Sequence, residues 1–213
     1  ASGSRLPVAG RRAVTRTALP RLDASRFIQG LMPLGKPELV KKAQRYLKPG
    51  SKTPADLDVS IGARMRDVFA LAKEFTDMPL DEVEVLLDSP VHEVRVGAVS
   101  IMDFQARNKR TSPKLRKELF DLYMRRHDRI NTWDLVDRCA PYVVGGYLFD
   151  RPRDILYQLA TSGHMSERRT AIVATYFFIR QDDTADTFRI AEILVDDEHH
   201  LIHKAVGGWV REA

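Results

Sequence analysis

Apolar residues recur every three to four positions through most of the chain, the spacing that places them on one face of an α-helix. Polar turns containing proline or glycine separate these stretches. No stretch alternates as a half-buried strand does, and the Asn-Gly and Asp-Gly pairs of tight hairpins are absent. The pattern predicts helices over residues 23–45 (broken at 34–38), 64–75, 80–87, 89–105, 113–125, 131–140, 152–161 and 184–195, with others opening at 167 and at 196–197.

The predicted helices follow a repeating plan. Ala98, Ala140, Ala171 and Ala205 each lie in an apolar helix that follows a polar turn, at uneven intervals within the range of helix-pair modules. We therefore expect an all-α protein, a HEAT-like helical-repeat solenoid of antiparallel helix pairs with a concave face. Residues 23–213 are expected to form this single domain, preceded by a disordered basic arm over 1–22.

Positive charge is concentrated at the start of the chain. The formal net charge is +5, but residues 1–21 hold five arginines and no acid, which leaves 29 basic against 29 acidic residues elsewhere. The arm could touch phosphates nonspecifically or be an unstructured leader, and the sequence leaves both interpretations open. A nucleic-acid surface on the folded part requires local clustering of cations.

Cysteine content and hydropathy favour a cytoplasmic protein, associated with the nucleoid if the source is bacterial. The single cysteine, Cys139, excludes an intrachain disulfide, and its apolar helical context predicts a buried thiol. No apolar run reaches membrane-spanning length, and the first residues lack the apolar segment of a signal peptide. We expect a monomer without cofactor, metal or membrane contact.

The stretch 131–140 carries the strongest candidate for chemistry. Trp133 and Asp137 are four residues apart, so a helix presents both on one face. The residues just before Trp133 suit an N-cap, and Asp134 suits the first turn, where the helix dipole favours an acid. Asp137 lies further in, on a largely apolar stripe, where a carboxylate must be paired, neutralised or exposed in a cleft.

Pro141 marks the end of this helix. Because proline has no N–H, the carbonyl of Asp137 loses its usual helical partner, and we expect a kink or an open groove here. The alternative for Asp137 is a surface acid that bonds to Arg138 or to another side chain. The residues alone do not decide between the two.

Arg168 and Arg169 lie in the first turn of the helix that begins near Glu167. Arginines there oppose the helix dipole. The backbone N–H groups at a helix N-terminus already favour an anion, so the two arginines and these groups could together bind a phosphate. The alternative is a salt bridge with Glu167 or with an acid on a neighbouring helix.

The segment from Asp196 to Trp209 contains two weaker motifs. Histidines 199, 200 and 203 have the spacing of metal ligands on a helix. The metal interpretation is the weaker one, because Asp196 and Asp197 are explained as a helix N-cap and first turn and no second ligand-rich segment exists. Gly207 and Gly208 weaken the last helix, which suggests that DNA or an adjacent helix approaches its backbone closely. Trp209 suits either a stacking or wedging group or a core residue.

Three groups of motifs occur together in one known family. They are Trp133-Asp-Leu-Val-Asp137 followed by Ala140-Pro141, then Arg168-Arg-Thr-Ala-Ile172, and finally Lys204-Ala-Val-Gly207 with Trp209-Val-Arg-Glu212. Together they resemble the AlkD family of HEAT-like DNA glycosylases, over about residue 38 to the end. The resemblance implies double-stranded DNA on the concave face and excision of N3- and N7-alkylpurines in base excision repair.

The resemblance also implies residue roles. Asp137 matches the catalytic carboxylate, Trp133 its partner against the deoxyribose, and Arg169 a phosphate clamp. The other DNA contacts expected are Arg168, Lys204 and Trp209. One position departs from the family, because Gly208 stands where the second tryptophan is usual, and Trp209 follows about 100° further around the helix.

The chemistry implied by the family suits these residues. Alkylation at N3 or N7 makes the purine cationic, so the base leaves without a general acid. A preorganised carboxylate can then stabilise an oxocarbenium-like sugar and orient water, while an indole face contacts the cation. Most glycosylases flip the base into a pocket, but no pocket motif is evident, and the family acts from the backbone side without one.

Two classes of function remain after these motifs. Kinase, redox and esterase functions have no support, because the phosphate-binding loop, the dinucleotide fingerprint and the serine nucleophile elbow are all absent. The first class is a DNA-alkylpurine glycosylase, a hydrolase of N-glycosidic bonds. The second is a non-catalytic helical-repeat module that binds DNA or a protein partner.

Overall fold

The computed structural model of the chain describes residues 22–47 and 59–213. Within these ranges its regular secondary structure is helical apart from one isolated parallel bridge between Val59 and Val91. The helices are α1 Ala24–Leu31, α2 Pro37–Leu47, α3 Met65–Glu74, α4 Leu80–Leu87, α5 His92–Arg107, α6 Pro113–Arg125, α7 Trp133–Ala140, α8 Gly146–Leu148, α9 Asp154–Ala160, α10 Met165–Ala174, α11 Tyr176–Ile179, α12 Ala185–Leu194 and α13 His200–Glu212. Met32–Leu34 forms a 3₁₀ turn, and Pro141–Gly145 forms a π-helical turn.

The helices predicted from periodicity are present. The break predicted at 34–38 corresponds to Gly35 and Lys36, between the 3₁₀ turn and α2, and α6 covers the range 113–125 predicted for it. The short helices α8 and α11 were not predicted. The basic arm predicted over 1–22 lies outside the described residues except for Leu22.

The helices pack in two rows. The inner row consists of α3, α5, α7, α10 and α13, each packed against the next, and the outer row of α4, α6, α9 and α12. Inner helices pack on the outer helix that precedes them, as α5 does on α4, α10 on α9 and α13 on α12. The sequence prediction of a helical-repeat solenoid is therefore confirmed. In the described ranges, no helix has both the length and the apolarity needed to cross a bilayer.

Helix α5 lies at the centre of the core and is buried along most of its length. It packs against α3, α4 and α7. Gly97 allows α1 to pack closely against α5, because a Cβ at this position would lie 2.1 Å from Cζ of Phe27 in α1. The buried Glu93 accepts hydrogen bonds from the hydroxyl of Ser60 (2.6 Å) and the N–H groups of Ile61 (3.2 Å) and Gly62 (2.9 Å). These bonds fix the turn that leads into α3.

Candidate active site

Helix α7 presents Trp133 and Asp137 one turn apart at its exposed side. Both side chains are partly exposed, and the intervening Leu135 and Val136 are buried in the core. Thr132 occupies the N-cap position, but its hydroxyl donates to the carboxylate of Asp134 at 2.7 Å rather than capping a backbone N–H. The sequence prediction that one helix face carries Trp133 and Asp137 agrees with this geometry.

Asp137 is held by a buried arginine from the next inner helix. Arg169 donates from Nε to Oδ1 and from Nη2 to Oδ2 of Asp137, each at 2.7 Å. The Arg169 side chain is only 8% exposed, whereas that of Asp137 is 33% exposed. Nη1 of Arg169 donates to the carbonyl of Leu201 in α13. One guanidinium thus ties α7, α10 and α13 together around the carboxylate.

Arg168 and Arg169 are both bound to acids inside the protein, whereas the family resemblance implies a phosphate clamp for Arg169 and a DNA contact for Arg168. Arg168 donates to Asp197 from Nε (2.6 Å) and Nη2 (3.2 Å), and to the carbonyl of Ser162 from Nη1 (2.9 Å). The geometry is the alternative that the sequence left open, an ion pair with an acid from another element. A buried guanidinium needs such a partner because an unpaired buried charge is costly.

The expectation that Asp196 and Asp197 cap the last helix is wrong. His199 occupies the N-cap position of α13, and its Nδ1 accepts from the N–H of Leu201 at 3.2 Å. Asp197 accepts from Arg168 and from the N–H of His199. Burial raises the pKa of the Asp197 carboxyl, but the bonds from Arg168 and His199 outweigh it, so the pKa lies below its ordinary value.

Asp134 has a partner that the sequence did not reveal. Its Oδ2 lies 2.7 Å from Nε2 of His92, the first residue of α5. Burial by itself raises the pKa of Asp134, but the hydrogen bond and charge of His92 and the Thr132 hydroxyl lower it below the ordinary value. The helix dipole explains why an acid suits this place, while the contact with α5 depends on the packing of distant segments.

The kink expected at Pro141 takes the form of a π-helical turn. The N–H of Gly146 bonds to the carbonyl of Pro141, which widens the helix by one residue over Pro141–Gly145. A Cβ at Gly145 would lie 2.1 Å from the carbonyl oxygen of Ala174, so glycine permits the turn to approach α10 closely. Cys139, predicted to be a buried thiol, is fully buried, and burial raises its pKa.

The last helix presents Lys204 to solvent and packs Trp209 inward. Lys204 is exposed, whereas Trp209 packs against the core with its ring centroid 5.2 Å from that of Tyr176. This contact matches the packing alternative for Trp209. Cβ atoms at Gly207 and Gly208 would meet no described atom within 4 Å. An adjacent helix therefore does not account for the two glycines.

A pocket of about 630 Å³ lies on the α5 side of Trp133. Apolar walls come from α2, α3 and α5 and include Leu39, Phe69 and Val96. Sequence reasoning found no motif for this pocket, because its wall is assembled from segments that are distant in the chain. Asp137 is not in its wall, whereas Trp133, one turn earlier on the same face of α7, is.

The histidines near the start of α13 do not form a metal centre with acids or cysteine. Among the residues that the structure describes, no group of three or more His, Cys, Asp and Glu side chains is placed to hold a metal ion. The rings of His199 and His200 stack with centroids 5.1 Å apart. His199 caps α13 through Nδ1.

Fold and site together define a helical-repeat protein whose inner row presents an exposed carboxylate held by a buried arginine. The sequence model of the family described as DNA alkylation repair enzyme matches residues 27–213. The chain belongs to this family. Its description indicates an enzyme of DNA repair with DNA as its substrate. No curated protein matches the chain.

Proposed function

We propose that the protein is a DNA glycosylase that excises cationic N3- and N7-alkylpurines from double-stranded DNA, with Asp137 as the catalytic carboxylate. The observation that carries this proposal is the bidentate contact between Arg169 and a one-third exposed Asp137, at 2.7 Å on each oxygen. A carboxylate held so firmly is preorganised, and its exposed part remains open to a substrate. Family membership adds support for DNA as the substrate.

Asp137 performs two tasks in this mechanism. As the cationic purine leaves, positive charge develops on the deoxyribose, and the carboxylate stabilises that charge electrostatically. Each carboxylate oxygen accepts one bond from Arg169 and keeps a second lone pair. That lone pair can orient the water that adds to the sugar and accept the proton that the water gives up. The bond from sugar to base breaks with its electron pair going to the base, which thereby becomes neutral.

Trp133 lies one turn before Asp137 and offers an indole face to the same substrate. An aromatic face attracts a cation within about 6 Å of its centroid, which suits a sugar that becomes positively charged. Because Asp137 is not in the wall of the nearby pocket, the reaction that we propose does not place the base in a pocket. The reacting sugar instead lies over the exposed side of α7.

Arg169 is a positioning residue in this proposal. Its three donor groups bind Asp137 and the carbonyl of Leu201, and its side chain is 8% exposed. It therefore fixes the direction of the carboxylate rather than contacting phosphate.

The test is the release of 7-methylguanine from methylated duplex DNA under single-turnover conditions. We expect Asp137→Asn to slow release by about 100-fold or more, the size of effect that follows loss of one preorganised electrostatic group. Asp134→Asn is the matched control, because it makes the same change on the same helix at an acid bound to His92 rather than Arg169. Its release rate should stay within a few-fold of wild type.

Two results would contradict the assignment. Equal release by wild type and Asp137→Asn would remove the carboxylate from the mechanism. No release by wild type, together with unchanged DNA affinity in Asp137→Asn, would favour the non-catalytic DNA-binding module. Circular dichroism and thermal melting of each variant show whether it is folded at the assay temperature.

A further inference from the structure

The turn that leads into α13 is held at two points by the two arginines of α10. Arg168 donates to the carboxylate of Asp197 from Nε (2.6 Å) and Nη2 (3.2 Å). Arg169 donates from Nη1 to the carbonyl of Leu201, the second residue of α13. Because the two arginines are adjacent in the chain, one turn of α10 fixes both ends of the segment 197–201.

His199 lies between these two points and joins them. Its N–H donates to Oδ1 of Asp197 at 2.8 Å, and its ring nitrogen Nδ1 accepts from the N–H of Leu201 at 3.2 Å. The imidazole thus occupies the N-cap position of α13 and satisfies a donor that the helix leaves unpaired. Leu201 is therefore bonded twice, through its N–H to His199 and through its carbonyl to Arg169.

These contacts connect the imidazole of His199 to the candidate catalytic carboxylate. The guanidinium of Arg169 that binds the Leu201 carbonyl through Nη1 also binds Asp137 through Nε and Nη2, at 2.7 Å each. A guanidinium is planar, and its donors point in fixed directions. A shift of the carbonyl bound to Nη1 therefore turns the two donors that hold Asp137.

We infer that His199 is a positioning residue for Asp137: the neutral ring fixes the first turn of α13, and protonation at Nδ1 frees that turn and the carbonyl that holds Arg169. A protonated Nδ1 cannot accept a hydrogen bond, and its charge is opposed by the positive end of the helix dipole. The inference rests on the proposed function for the role of Asp137. The contacts themselves can be tested without catalysis.

The groups that face His199 favour the neutral ring. Burial lowers its pKa from 6.5, and the charges of His200 and of the two arginines of α10 act in the same direction, whereas Asp197 opposes them. The ring of His200 stacks on that of His199 with centroids 5.1 Å apart. The bond from the Leu201 N–H is therefore present at neutral pH and is lost as the pH falls below 6.5 through the pKa of the folded protein.

The first experiment follows these contacts in the full chain without DNA. NMR spectroscopy records the amide resonance of Leu201 and the Nε–H resonance of Arg169 from about pH 8 to about pH 5. We expect both to shift with one midpoint below 6.5. In His199→Asn this transition should be absent, because the asparagine oxygen accepts the N-cap bond throughout this range. An Arg169 resonance that does not follow the Leu201 amide would overturn the inference.

Single-turnover release of 7-methylguanine gives the second readout. At about pH 7.5, His199→Ala should slow release about fivefold because α13 loses its N-cap, and His199→Asn should restore the rate to within about twofold of wild type. The wild-type rate should fall as the pH drops below 6.5, at a higher pH than that of His199→Asn. A merely structural role would lower the melting temperature of His199→Ala and leave the pH profiles of wild type and His199→Asn the same.

His203→Asn is the matched control, because it makes the same change at an exposed histidine of the same helix, one turn after the N-cap. Its pH profile and Arg169 resonance should match those of wild type. Identical pH profiles for wild type and His199→Asn would overturn the inference even if release requires Asp137. Coupled shifts of Leu201 and Arg169 in a protein that releases no base would support the positioning of Asp137 and contradict the proposed function alone.

Discussion

Two contacts between arginine and aspartate join α7 to its neighbours, and they differ in exposure rather than in chemistry. On one side, Arg138 binds Asp103 of α5 at 3.1 Å, and Asp103 also accepts two bonds from Arg107 at 2.8 Å. On the other side, Asp137 binds Arg169. The side chain of Asp103 is 0% exposed and that of Asp137 is 33% exposed.

The difference separates a carboxylate that supports the fold from one that is available for chemistry. Burial raises the pKa of Asp103 above its ordinary value although Arg138 and Arg107 oppose the shift. A substrate cannot reach this acid. Asp137 has the same kind of partner, but its outer side is open, so an arginine orients it while part of it stays accessible from solvent.

The largest effect on stability is expected at the buried contact. Asp103→Ala should lower the free energy of unfolding by about 3 kcal/mol, because it leaves two arginines without their shared carboxylate. Asp103→Asn should lower it less, since it keeps the volume and removes a charge that burial disfavours. Asp137→Ala should cost about 1–2 kcal/mol, because water can reach the vacated position. Urea denaturation measures all three, and a larger loss at Asp137 than at Asp103 would contradict the comparison.

A second buried contact makes stability depend on pH. Burial lowers the pKa of His127 to about 4 from 6.5, and its Nε2 lies 3.0 Å from the hydroxyl of Thr170, the residue after Arg169. The unfolded chain therefore binds a proton on this imidazole at a higher pH than the folded chain does. Stability should fall by about 3 kcal/mol as the pH drops from 6.5 towards 4.

The variant His127→Gln isolates this dependence. Other groups titrate in the same way in both proteins, so the difference between their urea denaturation curves at each pH reports His127. A wild-type curve that runs parallel to that of His127→Gln between pH 6.5 and 4.5 would show that the imidazole is not buried neutral.

The smallest effects are expected at two glycines, one enclosed and one open. Gly145→Ala should destabilise the protein by about 1–3 kcal/mol, because its Cβ would lie 2.1 Å from the Ala174 carbonyl oxygen. Gly208→Ala should stabilise α13 by about 0.5–1 kcal/mol, because the new methyl group meets no described atom and alanine favours a helix. Thermal melting checks both signs. If duplex DNA approaches this backbone, Gly208→Ala should weaken DNA binding while raising the melting temperature.

Periodicity in the sequence was sufficient to predict the longer helices and the face shared by Trp133 and Asp137, but not the short helices α8 and α11. Those features depend on residues close together in the chain, for which helical geometry fixes the relative positions. The ends of α6 and the break before α2 follow from proline and polar turns in the same way.

The partners of the acids could not be predicted, because they depend on how distant helices pack. Asp137 and Arg169 are 32 residues apart, and Asp134 and His92 are 42 apart. One signal was present for Arg169, since the sequence predicts it in the first turn of a helix, where an arginine opposes the dipole and needs an acid nearby. In the structure α10 begins at Met165, two residues earlier than predicted, and Arg169 lies in its second turn.

The π-helical turn at Pro141–Gly145 lets one continuous stretch of helix orient its two ends toward different neighbours. The extra residue rotates α8 by about 100° relative to an unbroken α-helix. Before the turn, α7 aims Asp137 at α10, and after it Tyr147 stacks on Phe120 of α6 with centroids 4.5 Å apart. Removing one residue from the turn would force the chain to give up one of these alignments.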